Sequence, residues 1–229
     1  TITDHCECNM YEERNYAKAI KDSFVETKRA AAALNGKLHL YKGIELGQAT
    51  QNLQAAESIL SECDFDFVLG SLHNIRGLED FYLLDYNKLD IHDLLCTYFD
   101  EIMELIAWGK FDSLTHLTYP LRYIVGEQHR EVSYEVYKDR VDDILKALIE
   151  QNKALELNTS GLRQAIGKTM PCPTVIKRFK ELGGKYLTIG SDAHRWADVG
   201  SGVEDGYQIA QNAGFDHITI FVNRGPVLL

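Results

Sequence analysis

At 229 residues, 45% hydrophobic and 25% charged, the chain has the size and composition of one large α/β domain. A formal net charge of −10 excludes a nucleic-acid surface built on bulk basic charge, so a small anionic substrate needs locally placed arginine or metal. No run approaches the ~18 apolar residues of a membrane span and no signal peptide is visible. Five cysteines without framework spacing read as reduced thiols of a cytoplasmic protein.

In chain order, Thr1-Ile2-Thr3 reads as the tail of a buried strand ending at Asp4-His5. The neighbouring Cys6-Glu7-Cys8 reads as ordinary thiols rather than a thiolate site, since no second cysteine pair accompanies it. Helical spacing from about Glu12 to Leu34 predicts a helix stopped by Asn35-Gly36. Leu38 to Ile44 reads as a strand ending at Glu45, and a helix from about Asn52 to Cys63 follows. Phe65 to Leu72 is the next strand, ending at His73. The long connection Asn74 to Lys88 carries Phe81, Tyr82 and Tyr86; it is either a lid over the substrate or a packed Ω-type loop.

The segment from Asp90 to Trp108 is a strongly periodic helix closed by Gly109, and Phe111 to Thr115 is a short strand ending at His116. A helix over Glu131 to Gln151 precedes the strand Ala154 to Asn158, which enters Thr159-Ser160-Gly161-Leu162-Arg163. A helix from about Pro173 to Leu182 ends at Gly183-Gly184. The strand Tyr186 to Ile189 then leads to Gly190-Ser191-Asp192-Ala193-His194, and a helix over about Gly202 to Ala213 leads to a last strand, His217 to Phe221. Neither a linker nor a repeat interrupts the chain, so residues 1–229 are read as a single domain.

Alternating strands and helices imply parallel β-structure with right-handed crossovers. Six strands end in a polar residue of ligand or substrate-binding type: His5, Glu45, His73, His116, Asn158, and the pair Asp192 and His194. In a parallel barrel such positions meet at the C-terminal rim, where barrels of this kind place their chemistry. A parallel barrel is therefore expected, with an open doubly wound sheet as the fallback. Four histidines with two carboxylates suit Zn²⁺, Mn²⁺ or Fe²⁺ rather than a cysteine-based structural site. Glu45 is the natural carboxylate to bridge two ions, and ions clustered this way clamp the oxygens of a phosphoryl group.

In order along the chain, Thr3-Asp4-His5, Gly43-Ile44-Glu45, Gly70-Ser71-Leu72-His73, His116 and Gly190-Ser191-Asp192-Ala193-His194 resemble the motifs of the polymerase and histidinol phosphatase (PHP) superfamily. Asn158-Thr159-Ser160-Gly161-Leu162-Arg163 and Phe221-Val222-Asn223-Arg224-Gly225-Pro226 resemble its histidinol-phosphate phosphatase branch. The resemblance implies a distorted (β/α)7 TIM-like barrel holding two or three divalent ions, zinc, manganese or iron. It implies that Glu45 bridges two ions, with Asp192 on the first, His73 and His116 on the second, and His5 and His194 on a third. It also implies hydrolysis of L-histidinol phosphate to histidinol and phosphate, in histidine biosynthesis, by in-line attack of metal-activated water. Asp192 and His194 are then the expected catalytic pair, and Arg163 and Arg195 the expected phosphate clamp.

One family feature has no counterpart here. The family's first strand, with its His-x-His motif, is not found in this sequence, which opens at what corresponds to strand two. The first ion would then keep only Glu45 and Asp192, and an open barrel seam would invite strand exchange between chains, hence a homo-oligomer. Two further readings stand beside the leading one. One is another PHP phosphoesterase acting on nucleotides or nucleic-acid ends, which the acidic charge disfavours for long polynucleotides. The other is a catalytically silent paralogue serving as a binding or regulatory protein. His39, His92, His129 and His217 read as surface or hydrogen-bonded residues, Arg224 as a structural contact of the tail, and Arg122 and Arg130 as solvated loop charges.

Overall fold

The computed structural model describes residues 1–34 and 36–229; Asn35, named above as part of a helix stop, lies outside the described residues. Six strands, β1 (Ile2–Glu7), β2 (Lys42–Gly47), β3 (Phe67–Ser71), β4 (Ser113–Leu114), β5 (Ala154–Asn158) and β6 (Leu187–Gly190), form one sheet in sequential order. Every neighbouring pair in it is parallel. The order never reverses, so the doubly wound alternative, which requires a reversal, is excluded. β1 and β6 are the two edges, and no pairing joins them among the described residues.

The long helices alternate with the strands: α1 (Tyr16–Ala33), α2 (Leu53–Glu62), α3 (Ile91–Trp108), the single turn α4 (Tyr119–Leu121) running into a π-helical turn, α5 (Tyr134–Glu150), α6 (Pro173–Glu181) and α7 (Val203–Asn212). Their ends follow local chemistry. Asp90 caps α3 by accepting from the amides of His92 and Asp93, and Gly109 closes it at φ 68°, a conformation without steric cost for glycine. Asn52 caps α2 through the Ala55 amide. Outside the sheet, α3 packs on α5, α5 on α6 and α6 on α7, as successive crossovers of one hand require.

β3 and β5 are buried at every position, the pattern of strands covered on both faces. Between sheet and helices lies a core that includes Tyr98, Phe81, Phe111, Phe179, Ile44 and Leu46, each fully buried; each such side chain contributes about 1.5–3 kcal/mol by leaving water.

Two expectations are corrected, and the open reading of the Asn74–Lys88 connection is decided. β1 and β2 run two residues past His5 and Glu45, because the parallel ladder pairs His5 with Glu45 and continues to Glu7 with Gly47. The last strand, β7 (Thr219–Val222), does not extend the parallel sheet. It turns through Asn223 and Arg224, both at positive φ, into β8 (Gly225–Leu228) and forms an antiparallel hairpin with it. The Asn74–Lys88 connection is packed down: Phe81 is fully buried edge-on to Tyr98, and the Tyr86 hydroxyl donates to the Phe81 carbonyl. Only Tyr82 of its three aromatics stays exposed. Arg224 is a tail contact as expected, its guanidinium bound to Asp112 and to the Lys110 carbonyl.

Candidate metal centre

Glu45 lies in the middle of β2, and its carboxylate is buried among the imidazoles of His5 from within β1, and of His73 and His116 from just past the ends of β3 and β4. Its Oε1 stands 3.0 Å from His73 Nε2 and 3.3 Å from His116 Nε2, and these two nitrogens are 3.3 Å apart. Its Oε2 faces His5 Nε2 at 3.8 Å. Donors about 2.0–2.2 Å from a shared ion stand roughly 3.0–3.5 Å apart at octahedral to tetrahedral angles. The triangle of Glu45, His73 and His116 has those edges, so its donor set fits a divalent cation. Tyr119 fixes the two rings, lying edge-on to His73 at 5.0 Å between centroids and tilted against His116 at 4.8 Å.

Protonation follows from the same crowding. Burial by itself would raise the Glu45 carboxyl, but the imidazoles of His5, His116 and His73 overcome it and hold the group well below the usual range. Glu45, against the cost of burial and with help from Glu7, raises His5 to about 9. His73 is likewise raised well above its ordinary value, burial opposing and the carboxylates of Glu7 and Glu45 prevailing.

Asp192 and His194 line a cavity of about 580 Å³, whose lining also includes His5 and Glu45. Asp192 Oδ2 accepts from Ser160 Oγ at 3.1 Å and Asn158 Nδ2 at 3.4 Å. His194 is largely exposed, its Nδ1 3.2 Å from the Asp192 carbonyl and its ring 5.4 Å from that of His5. Asp192 (φ 48°) and His116 (φ 24°) both hold left-handed backbone, which costs a non-glycine residue about 1–3 kcal/mol and is characteristic of functional positions. All six expected ligands thus lie on one rim, but only His5, His73 and His116 crowd around Glu45's carboxylate; Asp192 and His194 form a second group beside them.

Of the expected phosphate clamp, Arg163 reaches this second group, a terminal nitrogen donating to the Asp192 carbonyl at 2.7 Å. Arg195 is exposed and makes no side-chain hydrogen bond among the described residues. The other histidines are peripheral: His92 meets the Tyr137 hydroxyl, His217 the Leu229 carbonyl, and His39 and His129 are exposed.

Two carboxylates were missed by the strand-end reading. Glu7 touches both His5 and His73. Glu156, fully enclosed in β5, accepts from the Thr115 hydroxyl, the His116 amide and Asn158 Nδ2, and so fixes the backbone that presents His116. Burial raises the Glu156 carboxyl despite these donors and the nearby His116. A Cβ at position 190 would lie 2.1 Å from Glu156 Oε1, so a side chain there would displace this hydrogen-bonded carboxylate. Period two was the available signal: Glu7 follows His5 by two residues and Glu156 precedes Asn158 by two, each on the same face as its partner.

With this geometry in place, comparison with known proteins identifies the class. Residues 1–160 match the PHP domain, and the chain belongs to the PHP domain family. It is 28% identical over 214 residues to a probable histidinol-phosphatase of Clostridium acetobutylicum, covering 92% of this chain and 80% of that protein. A probable histidinol-phosphatase of Thermotoga maritima is 30% identical over 188 residues, covering 77% and 78% respectively. In three dimensions the fold resembles the crystal structure of histidinol phosphate phosphatase from Lactococcus lactis complexed with zinc, L-histidinol and phosphate. There the TM-score is 0.75 at 23% identity, over 91% of this chain and 79% of that one. The fold is accordingly the distorted barrel of that family.

Proposed function

We infer that this chain is a metal-dependent phosphomonoesterase that hydrolyses L-histidinol phosphate to L-histidinol and phosphate, a step of histidine biosynthesis. The observation that carries the reading is the triangle of Glu45, His73 and His116, with Asp192 and His194 on the same rim. The relatives named for this activity support the choice of substrate over a nucleic-acid end or a silent binding role.

In this reading Glu45, His73 and His116 hold one divalent ion, and His5, Asp192 and His194 offer donors for one or two more. Zinc in the Lactococcus lactis structure supports zinc, with manganese and iron compatible with the same donors. Bound there, such ions supply Lewis acidity to the phosphoryl oxygens and make water acidic enough to react at neutral pH. The chain's own residues do the rest. Arg163, tethered at the Asp192 carbonyl, presents its remaining N–H groups to a phosphate, and the exposed Arg195 offers a second guanidinium. Asp192 and His194 are placed at the rim to hold or pass the proton that the leaving alkoxide needs. All five cysteines are free thiols, which supports a reducing, cytoplasmic setting.

Phosphate release from L-histidinol phosphate, measured with added Zn²⁺ or Mn²⁺ and again after chelation, tests the reading, with p-nitrophenyl phosphate as control. Chelator-sensitive turnover selective for histidinol phosphate is the expected result. Absence of release in every metal would overturn it.

A further inference from the structure

We propose that Glu7 is the positioning residue of the metal centre, the carboxylate that sets the tautomer and aim of His5 and His73 together. The inference rests on the ligand reading above and goes beyond it, because neither the strand-end pattern nor the family motifs assign Glu7 a role.

A single oxygen, Glu7 Oε1, lies 3.2 Å from His5 Nδ1 and 3.0 Å from His73 Nδ1. The opposite nitrogen of each ring, Nε2, faces Glu45, at 3.8 Å for His5 and 3.0 Å for His73. An ionised carboxylate only accepts hydrogen bonds, so both Nδ1 atoms must carry the proton. With Nδ1–H fixed, each ring can give up only its Nε2 proton when it binds metal, so its ligating lone pair is on the side that faces Glu45. One carboxylate therefore orients two ligands, the outer partner that metal-bound histidines require. Direct ligation by Glu7 is the competing assignment, since His5, Glu7 and His73 offer three donors close together. It would demand lone pairs on the Nδ1 side, and the convergence of both Nε2 atoms on Glu45 argues against it.

The rest of the site is shaped to keep Glu7 in place. Glu7 and Gly47 are direct partners in the β1–β2 ladder, and a Cβ at 47 would lie 2.1 Å from Glu7 Oε2. Among the described residues that oxygen is buried without a hydrogen-bond partner, so Gly47 leaves it room and Oε1 alone binds the two rings.

The test uses the full chain loaded with zinc. Proton–nitrogen correlation spectra of the histidine rings should show the Nδ1–H tautomer at both His5 and His73; a proton on Nε2 of either ring overturns the proposal. Zinc affinity, read by competition with a chromophoric chelator, should fall about 10- to 100-fold in Glu7→Ala. Glu7→Gln, which keeps an acceptor oxygen but loses the charge, should fall between Glu7→Ala and wild type. Folded Glu7→Ala protein that binds zinc as tightly as wild type would also overturn it; if that variant fails to fold, Glu7→Gln and the wild-type spectra decide. Wild-type protein that binds no zinc at all would instead sink the ligand reading, and this inference with it, a failure visible without any variant.

Discussion

His116 Nε2 lies 3.3 Å from Glu45 Oε1, although 71 residues separate them in the chain. Glu45 is the one carboxylate on which three histidines from different strands converge, so its loss should affect the centre more than loss of any single ring. Glu45→Gln keeps the shape but removes the charge that attracts a cation. We expect it to weaken zinc binding by more than about 100-fold, beyond the range typical of outer-shell changes. Zinc should raise the unfolding midpoint of wild type, through binding to the folded state alone, and leave that of Glu45→Gln unchanged. Calorimetry with and without zinc checks both.

Zinc affinity should depend on pH in a stated direction. In the metal-free protein His5 is raised to about 9, so its proton, and the attraction to Glu45 that goes with it, is fully present below the ordinary histidine pKa and is lost as pH rises through about 9. A ligand nitrogen must release that proton before it binds metal. Apparent affinity should therefore climb as pH rises towards about 9, the interval from pH 6.5 to 9 included, with proton release detectable in weakly buffered solution. A flat profile over that interval would contradict the protonation assigned to His5.

The Asn74–Lys88 connection separates a structural aromatic from a free one. Phe81→Ala removes a fully buried ring that packs against Tyr98 and Tyr119 and should cost about 3–5 kcal/mol of stability. Tyr82, two-thirds exposed, should be replaceable by alanine within about 0.5 kcal/mol. Urea unfolding of both variants measures the contrast. An effect of Tyr82→Ala on KM alone would show that this side chain covers the substrate.

Arg163 is expected to act on substrate rather than on folding. Arg163→Ala should raise KM for histidinol phosphate about 10- to 100-fold, the range for loss of hydrogen bonds to a charged group. Arg163→Lys should recover little of it, because an ammonium lacks the planar fork that matches phosphate. Steady-state kinetics beside a thermal melt distinguishes this from a fold defect.

Much of the architecture is local and therefore readable. Alternation of apolar runs with amphipathic helices, the Asp90 cap and the Gly109 stop fix α3 and the order of strands, because they depend on residues a few positions apart. The same applies to the residues at the strand ends: His5, Glu45, His73 and His116 stood out because each terminates an apolar run, and parallel strands bring such ends to one face. The β7–β8 hairpin was not readable, since the sequence Asn223-Arg224 does not reveal that it turns at positive φ onto a partner beyond it. For Glu7 and Glu156 period two marked only a shared face with His5 and Asn158; that these carboxylates are enclosed depends on neighbours distant in the chain. The sequence by itself determined which side chains reach the rim. Only tertiary structure decided which oxygen faces which ring nitrogen, because ligand distances of about 3 Å are set by strand register and sheet curvature, neither of which a single strand encodes.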